Sequence, residues 1–390
     1  MHPRTAPFIA AVLLASACSD ADVVRPDPAS MARNAAASLV IPGVDVDEGV
    51  LGPGALYRIL TPANWNGTLV LYAHGYFEPD DPLRLPDPTD PTDAEGQVLA
   101  ALVGLGYATA SSSFSENGLA VKDGAQRTRQ LRGIFVSKVG RPDRTLLVGA
   151  SLGGTIAVKL VEEQPTHYDG ALALCGFLGG TRVETDYFGH LRVLFDVFYP
   201  GVIPGDLFNL PAPAMRPLYL AAAGTALLAD PTGAAAMQAV MTGLGTPVPG
   251  GADPTLVGQA ILTALQFNFT RFDDILARTR GKVFFDNVDT DYGDTAVNAV
   301  VDRFTASPSA LNYLAKYYEP DGELAVPVMT LHTVYDPVAP AFHEAVYAGI
   351  VAAAGNSGML TQTLTPGLGH CAFEPAEVLT AFGALDLMTR

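Results

Sequence analysis

Short apolar runs that alternate with helix-like segments constrain the fold of this chain more than any other feature of its sequence. The run TLVLYA at 68–73 is apolar throughout, as is typical of a strand buried on both faces of a sheet. Helical patterns lie between such runs, and this alternation predicts a mostly parallel sheet with right-handed crossovers and helices on both faces. The predicted strands of this first part are 55–60, 68–73, 107–111, 145–149 and 171–175, and the predicted helices are 95–104, 122–139 and 152–163.

The alternation stops between positions 176 and 324 and then resumes. The interrupted stretch carries Ala-rich helical patches separated by Gly and Pro, and it is too long for a loop. We therefore expect a mostly helical insertion that stands over one end of the sheet. Beyond it, the predicted elements are strands at 326–332 and 359–365 and helices at 341–354 and 375–388. The predicted domain boundaries are 46–176 and 325–390 for the core and 177–324 for the insertion.

The charge balance excludes one class of partner. The 390 residues include 23 Lys and Arg against 40 Asp and Glu, which gives a net charge of −17. Binding to nucleic acid needs a cationic footprint, so no nucleic-acid partner is expected. The segment 78–93 is dense in Asp and Pro, but its Pro spacing matches no calcium-binding loop. We interpret this segment as a solvated loop and expect no metal.

The first residues have the features of an export signal. Arg4 precedes a short apolar run at 8–15, and small residues follow up to Cys18. Residues 1–17 are predicted to be a signal peptide and 18–45 a flexible tether. Two endings stay open, because LLASAC resembles a bacterial lipoprotein signal: acylation of Cys18, which would anchor the chain to a membrane, or plain cleavage. The protein is expected to be exported and either lipid-anchored in the cell envelope or secreted.

The motif GASLG at 149–153 is the strongest pointer to chemistry. A buried strand precedes it and a helix follows it, which is the strand–turn–helix that a nucleophile elbow requires. The flanking glycines let the serine adopt strained backbone angles and present its hydroxyl at the end of the strand. Ser151 is the predicted nucleophile, and the backbone N–H of Leu152 is a predicted oxyanion donor.

A serine hydroxyl needs a base that takes its proton. His370 lies in the Gly-rich loop PGLGH after the last predicted strand, where its ring can reach over the sheet toward Ser151. His370 is therefore the predicted base. Export would remove His2 with the signal peptide. The remaining histidines precede the serine, follow it closely, or lie in the insertion, on a strand or on a helix: His74, His167, His190, His332 and His343.

The acid that orients this base is expected between the nucleophile and the histidine in chain order. Asp336 follows the strand 326–332 and precedes a helix, and Pro337 disfavours helical conformation at Asp336. Asp336 is therefore the predicted acid. The competing carboxylates lie within or at the edge of the insertion and follow no suitable strand: Asp286, Asp289, Asp291 and Asp321.

The second oxyanion donor is expected in the loop that follows TLVLYA. Gly75 in this loop allows a close approach of the backbone to the nucleophile, and Tyr76 is the next residue. The backbone N–H of Tyr76 is the predicted donor. Its side chain is expected in the wall of the pocket.

Over residues 50–390 the chain resembles the α/β-hydrolase superfamily, and within it secreted bacterial esterases. The motifs YAHGY, GASLGG, YDPVAP and GLGHCAF carry the resemblance, in that order and each after a predicted strand. The resemblance implies an α/β-hydrolase fold with an eight-stranded, mostly parallel sheet, a helical lid inserted after the sixth strand, and no cofactor. In such a fold the loop of His370 folds back over the strand ends, which implies that Cys371 lies close enough to Cys175 to form a disulfide.

These predictions indicate an exported serine esterase that acts on a small ester with an apolar acyl or aryl part. Aromatic residues of the insertion are expected either to wall its pocket or to form the core of the insertion: Phe195, Phe198, Tyr199, Phe208, Tyr219, Phe267 and Phe269. Two other functions stay open. A serine aminopeptidase of the prolyl or tripeptidyl type would also need an anionic subsite, for which Glu184, Asp186 and Asp206 are candidates. A surface lipoprotein would instead bind ligands with a relict triad.

Overall fold

The computed structural model describes residues 39–390, and these residues contain one eight-stranded sheet. The strands are β1 Val44–Leu51, β2 Ala55–Pro62, β3 Thr68–Ala73, β4 Ala108–Ser112, β5 Arg144–Ala150, β6 Gly170–Leu174, β7 Val328–Tyr335 and β8 Leu360–Leu368. Their spatial order is β1-β2-β4-β3-β5-β6-β7-β8. β2 pairs antiparallel with β1 and with β4, and all the other neighbours are parallel.

Helices cover both faces of this sheet. They are α1 Ala94–Gly104, α2 Val121–Lys138, α3 Leu152–Glu163, α4 Thr181–Phe198, α5 Arg216–Ala229, α6 Pro231–Gly243, α7 Pro254–Arg278, α8 Thr295–Val300, α9 Pro308–Tyr318, α10 Phe342–Ala353 and α11 Pro375–Met388. Side chains of β3 alternate between the faces: Leu69 and Leu71 pack in a hydrophobic cluster with α2 and α3, whereas Val70 and Tyr72 pack with α1 and α11. The predicted fold class, an α/β-hydrolase fold with an eight-stranded, mostly parallel sheet, is confirmed.

Helices α4 to α9 lie in the chain between β6 and β7, where the alternation of strands and helices stops. Asp-Pro pairs begin two of them, because Asp230 and Asp253 accept backbone N–H groups of the first turn and proline fits the first helical position. Apolar residues of α4 and α7, such as Phe195 and Phe269, belong to the same buried cluster as Leu71 of the sheet. These helices therefore share a hydrophobic core with one face of the sheet.

Strand β1 differs from the expectation that the chain is a tether up to residue 45. It begins at Val44 and pairs along its whole length with β2, from Val44 opposite Pro62 to Leu51 opposite Ala55. Most of its side chains are exposed or half-buried because the strand lies at the edge of the sheet. Its alternation of apolar and acidic residues is therefore a weak signal in the sequence.

The predicted signal peptide, Cys18 and the tether up to residue 38 lie outside the described residues. Among residues 39–390, no helix combines the length and the apolar character that crossing a membrane requires.

Candidate active site

Ser151 lies in a sharp turn between β5 and α3. Its φ of 54° is in the left-handed region, which residues other than glycine rarely adopt. A Cβ at Gly153 would lie 1.9 Å from the carbonyl oxygen of Ala73, and a Cβ at Gly149 would lie 2.1 Å from the carbonyl oxygen of Gly153. Glycine at 153 therefore lets the turn pack against β3, and glycine at 149 lets the start of α3 pack on β5. The turn presents the serine at the C-terminal end of β5.

Ser151, His370 and Asp336 form one hydrogen-bonded chain in the structure. His370 Nε2 lies 2.7 Å from Ser151 Oγ, and His370 Nδ1 lies 2.7 Å from Asp336 Oδ2. With its proton on Nδ1, the imidazole donates to the carboxylate and can accept the serine proton at Nε2. The Asp336 side chain is fully buried, whereas the His370 side chain is 19% exposed and borders a pocket. The arrangement is suited to turning a hydroxyl into a nucleophile.

Hydrogen-bond donors surround the Asp336 carboxylate. The backbone N–H groups of Val338 and Ala339 donate to Oδ1 at 2.9 and 3.0 Å. His370 and His332 face Oδ2 at 2.7 and 3.4 Å. Burial raises the pKa of Asp336, but the two histidines outweigh burial and hold this pKa well below its usual range. Asp336 is therefore ionised in the folded protein near neutral pH.

His332 is a buried imidazole behind Asp336, and no sequence pattern pointed to it as part of the site. Its Nε2 lies 2.6 Å from the carbonyl oxygen of Ala339, so Nε2 carries a proton. Its Nδ1 lies 3.2 Å from the carboxylate of Glu344, which also accepts a hydrogen bond from Gln362. Burial lowers the pKa of His332, but hydrogen bonds to Asp336 and Glu344 outweigh burial and raise it. The ring is thus held as an imidazolium between two carboxylates.

The start of α3 and the loop after β3 flank the nucleophile. Leu152 is the first residue of α3, and the first N–H groups of a helix have no acceptor within the helix. Within residues 39–390 the backbone N–H of Tyr76 makes no hydrogen bond. A Cβ at Gly75 would lie 3.5 Å from Ser151 Cβ, so this loop passes directly beside the serine. Both predicted oxyanion donors therefore lie on segments in contact with the serine.

Cys175 and Cys371 form the disulfide that the resemblance implied. Cys175 follows the last residue of β6, and Cys371 follows His370, so the bond ties the histidine loop to the sheet. The two sulfur atoms and a ring nitrogen of His370 lie within 4.8 Å of one another. Disulfide sulfurs offer no thiolate to a metal, so this group is not suited to hold one.

A pocket of about 480 Å³ opens at Ser151 between α1 and α11. This volume suits a small organic molecule. Most of its wall is apolar, and the aliphatic and aromatic side chains come largely from these two helices and the segment before α11: Ala94, Val98, Ala101, Phe373, Val378 and Leu379. Besides His370, an acidic and a basic side chain also line it, Glu95 and Arg271.

Most of the aromatic residues of the insertion lie away from this pocket. In the described part of the chain, Phe267 is the one of the seven that lines it. The other six pack within or against the buried cluster of the insertion, where α4 and α7 contact each other: Phe195, Phe198, Tyr199, Phe208, Tyr219 and Phe269. The expectation that these residues form the core of the insertion therefore applies to these six, whereas Phe267 both packs against this cluster and lines the pocket.

The acidic residues considered for an anionic subsite do not line the pocket within residues 39–390, and neither do the acids that competed with Asp336. Asp206 instead accepts backbone N–H groups of Phe208 and Asn209 in its own loop. The residues concerned are Glu184, Asp186, Asp206, Asp286, Asp289, Asp291 and Asp321.

Glu184 belongs to a second histidine–carboxylate pair, which we call the insertion cluster: Glu184, His343, Arg271 and Gly179. Gly179 donates its N–H to His343 Nδ1 at 3.1 Å, so His343 carries its proton on Nε2 and donates it to Glu184 at 2.8 Å. Arg271 forms an ion pair with the other oxygen of Glu184. Both charged side chains are 3% exposed. The cluster joins α4, α7 and α10.

Glu95 is a pocket residue that no motif identified. Its Oε1 accepts the backbone N–H of Gly75 at 2.8 Å. Burial raises the pKa of Glu95 to about 7, against a lowering by this hydrogen bond. The sequence offered one weak signal for Glu95. It lies two residues after Asp93, the residue that caps the helix, and acidic residues are common in the first turn of a helix.

No protein-family model matches the chain, and the comparison with curated proteins found no match. An esterase from Pyrococcus furiosus is 9% identical over 88% of this chain and 90% of its own, with a TM-score of 0.45. An esterase from Aspergillus oryzae is 14% identical over 88% of this chain and 83% of its own, with a TM-score of 0.47. An acylaminoacyl peptidase from Pyrococcus horikoshii is 8% identical over 85% of this chain, which spans 38% of the peptidase, with a TM-score of 0.41. The function of this chain therefore rests on the geometry of its own site.

Proposed function

We propose that this protein is a serine hydrolase that cleaves carboxylic esters through an acyl-enzyme. The observation that carries the proposal is the hydrogen-bonded chain from Ser151 through His370 to Asp336, with both bonds at 2.7 Å. The serine is held in a strained turn at the mouth of an apolar pocket. A nucleophile, a base and an orienting acid in contact are the parts that acyl transfer needs.

The reaction proceeds in two similar halves. His370 Nε2 takes the proton of Ser151 Oγ as the oxygen attacks the ester carbonyl, and His370 then gives this proton to the leaving alcohol. Water repeats the attack on the acyl-enzyme with the same base and releases the acid. Asp336 fixes the tautomer of the ring and stabilises the imidazolium. The N–H groups of Leu152 and Tyr76 donate to the oxyanion, and each such donor contributes about 3 kcal/mol to the transition state.

The pocket favours a substrate with an apolar acyl or aryl part. Its wall is largely aliphatic and aromatic, and its volume of about 480 Å³ suits a short acyl chain or a single aryl ring. An aminopeptidase would need an ionised group for the substrate amine. The pocket offers the carboxyl of Glu95, but Gly75 already donates to Glu95 Oε1, and burial raises the pKa of Glu95 to about 7. These features support esters over peptides.

The proposal includes export of the protein. The disulfide between Cys175 and Cys371 supports it, because such bonds persist in oxidising compartments. Metabolic labelling with a fatty acid, compared between the wild type and Cys18→Ser, tests whether the exported chain is anchored through Cys18. Labelling that is equal in the two proteins would contradict an anchor at this residue.

Replacement of the nucleophile tests the proposed reaction. Ser151→Ala should lower the turnover of p-nitrophenyl butyrate by at least about 10⁴-fold while the protein stays folded, because no other hydroxyl of residues 39–390 forms a hydrogen bond with His370. A fluorophosphonate probe should label the wild type at Ser151 and leave the variant unlabelled. Retained turnover in Ser151→Ala would contradict the assignment of Ser151 as the nucleophile. An unlabelled, inactive wild type would favour a ligand-binding protein, and faster cleavage of aminoacyl amides than of esters would favour a peptidase.

A further inference from the structure

The carboxyl group of Glu95 has no part in the reaction described above, although it lines the pocket at Ser151. Glu95 is the second residue of α1, and its Oε1 accepts the backbone N–H of Gly75 at 2.8 Å. A Cβ at Gly75 would lie 3.2 Å from this oxygen and 3.5 Å from Ser151 Cβ. A side chain of α1 therefore holds the backbone of the loop that passes the nucleophile.

The next peptide of this loop is held by a second side chain. His74 Nδ1 lies 2.7 Å from the carbonyl oxygen of Gly75 and donates to it. This carbonyl and the N–H of Tyr76 belong to one planar trans peptide, so they point in opposite directions. The His74 ring stacks between Phe77 and Phe114, and burial lowers the pKa of His74 to about 4, so the ring is neutral. Hydrogen bonds on both sides of Gly75 thus fix the direction of the Tyr76 N–H.

We propose that Glu95 is a positioning residue for the oxyanion hole. Its carboxyl oxygen holds the N–H of Gly75, and this contact keeps the following peptide turned so that the Tyr76 N–H faces the developing oxyanion. Without the contact, only the bond from His74 holds this glycine backbone, so one of the two donors is placed less precisely. The inference rests on the proposed function, because it concerns the same site.

The repeat DPTDPTD at 87–93 supports the position of Glu95. Asp87 and Asp90 each accept the N–H and the hydroxyl of the threonine two residues later, at 2.8 and 2.7 Å. Asp93 then caps α1 by accepting the N–H of Gly96 at 2.9 Å. A Cβ at Gly96 would lie 2.0 Å from the carbonyl oxygen of Asp87, so these turns pack directly on the start of α1. The loop that the sequence predicted as solvated thus fixes the helical turn that carries Glu95.

The charge of Glu95 decides which substitution should be tolerated. Burial, and to a smaller extent the charge of Asp93, raise the pKa of Glu95 to about 7, although the Gly75 N–H, Arg84 and Tyr72 act to lower it. A neutral carboxyl group still accepts from Gly75 and places no negative charge beside the oxyanion. Glutamine offers the same acceptor oxygen without a charge. We therefore expect glutamine, but no aliphatic side chain, to replace Glu95.

The experiment measures kcat and KM of the full chain with p-nitrophenyl butyrate in Glu95→Ala, Glu95→Met and Glu95→Gln. In the first two variants, kcat should fall about 10- to 100-fold with KM within about threefold, because the misplaced donor acts only in the transition state. In Glu95→Gln, kcat should stay within about threefold of the wild type. Methionine keeps the length of the side chain, so Glu95→Met decides the question if Glu95→Ala does not fold.

Glu162→Ala is the matched control. Glu162 Oε1 also accepts the N–H of a glycine, Gly322, at 3.0 Å, and burial also raises the pKa of Glu162 to about 7. Glu162 does not line the pocket, so its kcat should be unchanged. The inference is overturned by a kcat of Glu95→Met within threefold of the wild type, by a Gln variant as slow as the Met variant, or by an equal loss in the control.

Labelling by a fluorophosphonate probe separates this inference from the proposed function. If the wild type is labelled at Ser151 and Glu95→Ala turns over ester at the full rate, only the role of Glu95 is wrong. If the wild type is neither labelled nor active, the proposed function fails and the role of Glu95 fails with it.

Discussion

Two histidine–carboxylate pairs of nearly equal geometry have different surroundings in this molecule. His370 donates to Asp336 at 2.7 Å, and His343 donates to Glu184 at 2.8 Å. In the first pair, the second ring nitrogen meets the hydroxyl of Ser151 at 2.7 Å and the ring borders the pocket. In the insertion cluster, the second ring nitrogen accepts a backbone N–H and the whole pair is buried.

The comparison shows that the partner of the second nitrogen decides what such a pair can do. His343 has no free nitrogen that could take a proton, because fixed groups occupy both. Arg271 balances the charge of Glu184, so the cluster is neutral as a whole and ties three helices together. His370 has a proton donor in front of it and solvent within reach. Loss of the acid should therefore affect turnover in one pair and folding in the other.

The largest expected effect is on the turnover of Asp336→Asn. Its kcat for p-nitrophenyl butyrate should fall about 10⁴-fold, because asparagine favours the wrong tautomer of His370 and cannot stabilise the imidazolium. Its unfolding in urea should remain cooperative, since the amide oxygen still accepts from Val338 and Ala339 and Glu344 still faces His332. The free energy of unfolding should nevertheless fall, because His332 loses one of its two buried counter-charges. A kcat within tenfold of the wild type would show that turnover does not depend on the acid of this pair, and the proposed difference between the two pairs would be wrong.

The next largest effect is on the stability of Glu184→Ala. Its free energy of unfolding should fall by about 3–5 kcal/mol, because Arg271 is left buried without its counter-charge. The folded variant should still react with a fluorophosphonate at Ser151. Glu163→Ala is the control, because Glu163 forms an ion pair with Lys159 but its own carboxylate is 51% exposed, so its loss should cost less than about 1 kcal/mol. If the free energy of unfolding fell equally in the two variants, the buried ion pair would contribute no more stability than the exposed carboxylate does.

The smallest effect concerns how stability depends on pH. The raised pKa of His332 contributes stability that is complete below about pH 6.5, the usual histidine pKa, and is lost as pH rises toward the folded value. The groups that face its ring are Asp336, Glu344 and the carbonyl of Ala339. The free energy of unfolding of the wild type should therefore fall relative to that of His332→Gln as the pH rises above about 6.5. The difference between the two proteins should shrink by up to about 1.4 kcal/mol per pH unit. Urea unfolding of both proteins between pH 6 and 9 measures this difference. If the free energies of unfolding of the two proteins changed with pH in parallel, the result would contradict a buried imidazolium at His332.

The sequence identified those residues of the candidate site that are marked by the elements next to them in the chain. Ser151 was found from the strand and the helix on its two sides, and His370 and Asp336 from loops that follow strands in the expected order. The structure brings these three together. Strand β1 was missed because an edge strand buries few side chains.

The remaining contacts join elements that lie far apart in the chain. Glu95 meets Gly75 20 positions away, and Arg271 meets Glu184 87 positions away. A single sequence shows neither the burial of such a group nor its partner, and an acid at the start of a helix is ordinary. Partners of this kind become visible only once the sheet order is known.

The bond between Cys175 and Cys371 closes a ring of chain whose ends are 196 positions apart. The ring contains the whole insertion together with Asp336 and His370, whereas Ser151 lies outside it. A protease that nicks the exposed segment 251–253 opens the ring without separating the two fragments. The two halves of the candidate site then stay on one covalently joined molecule, and a reductant is needed to release one from the other.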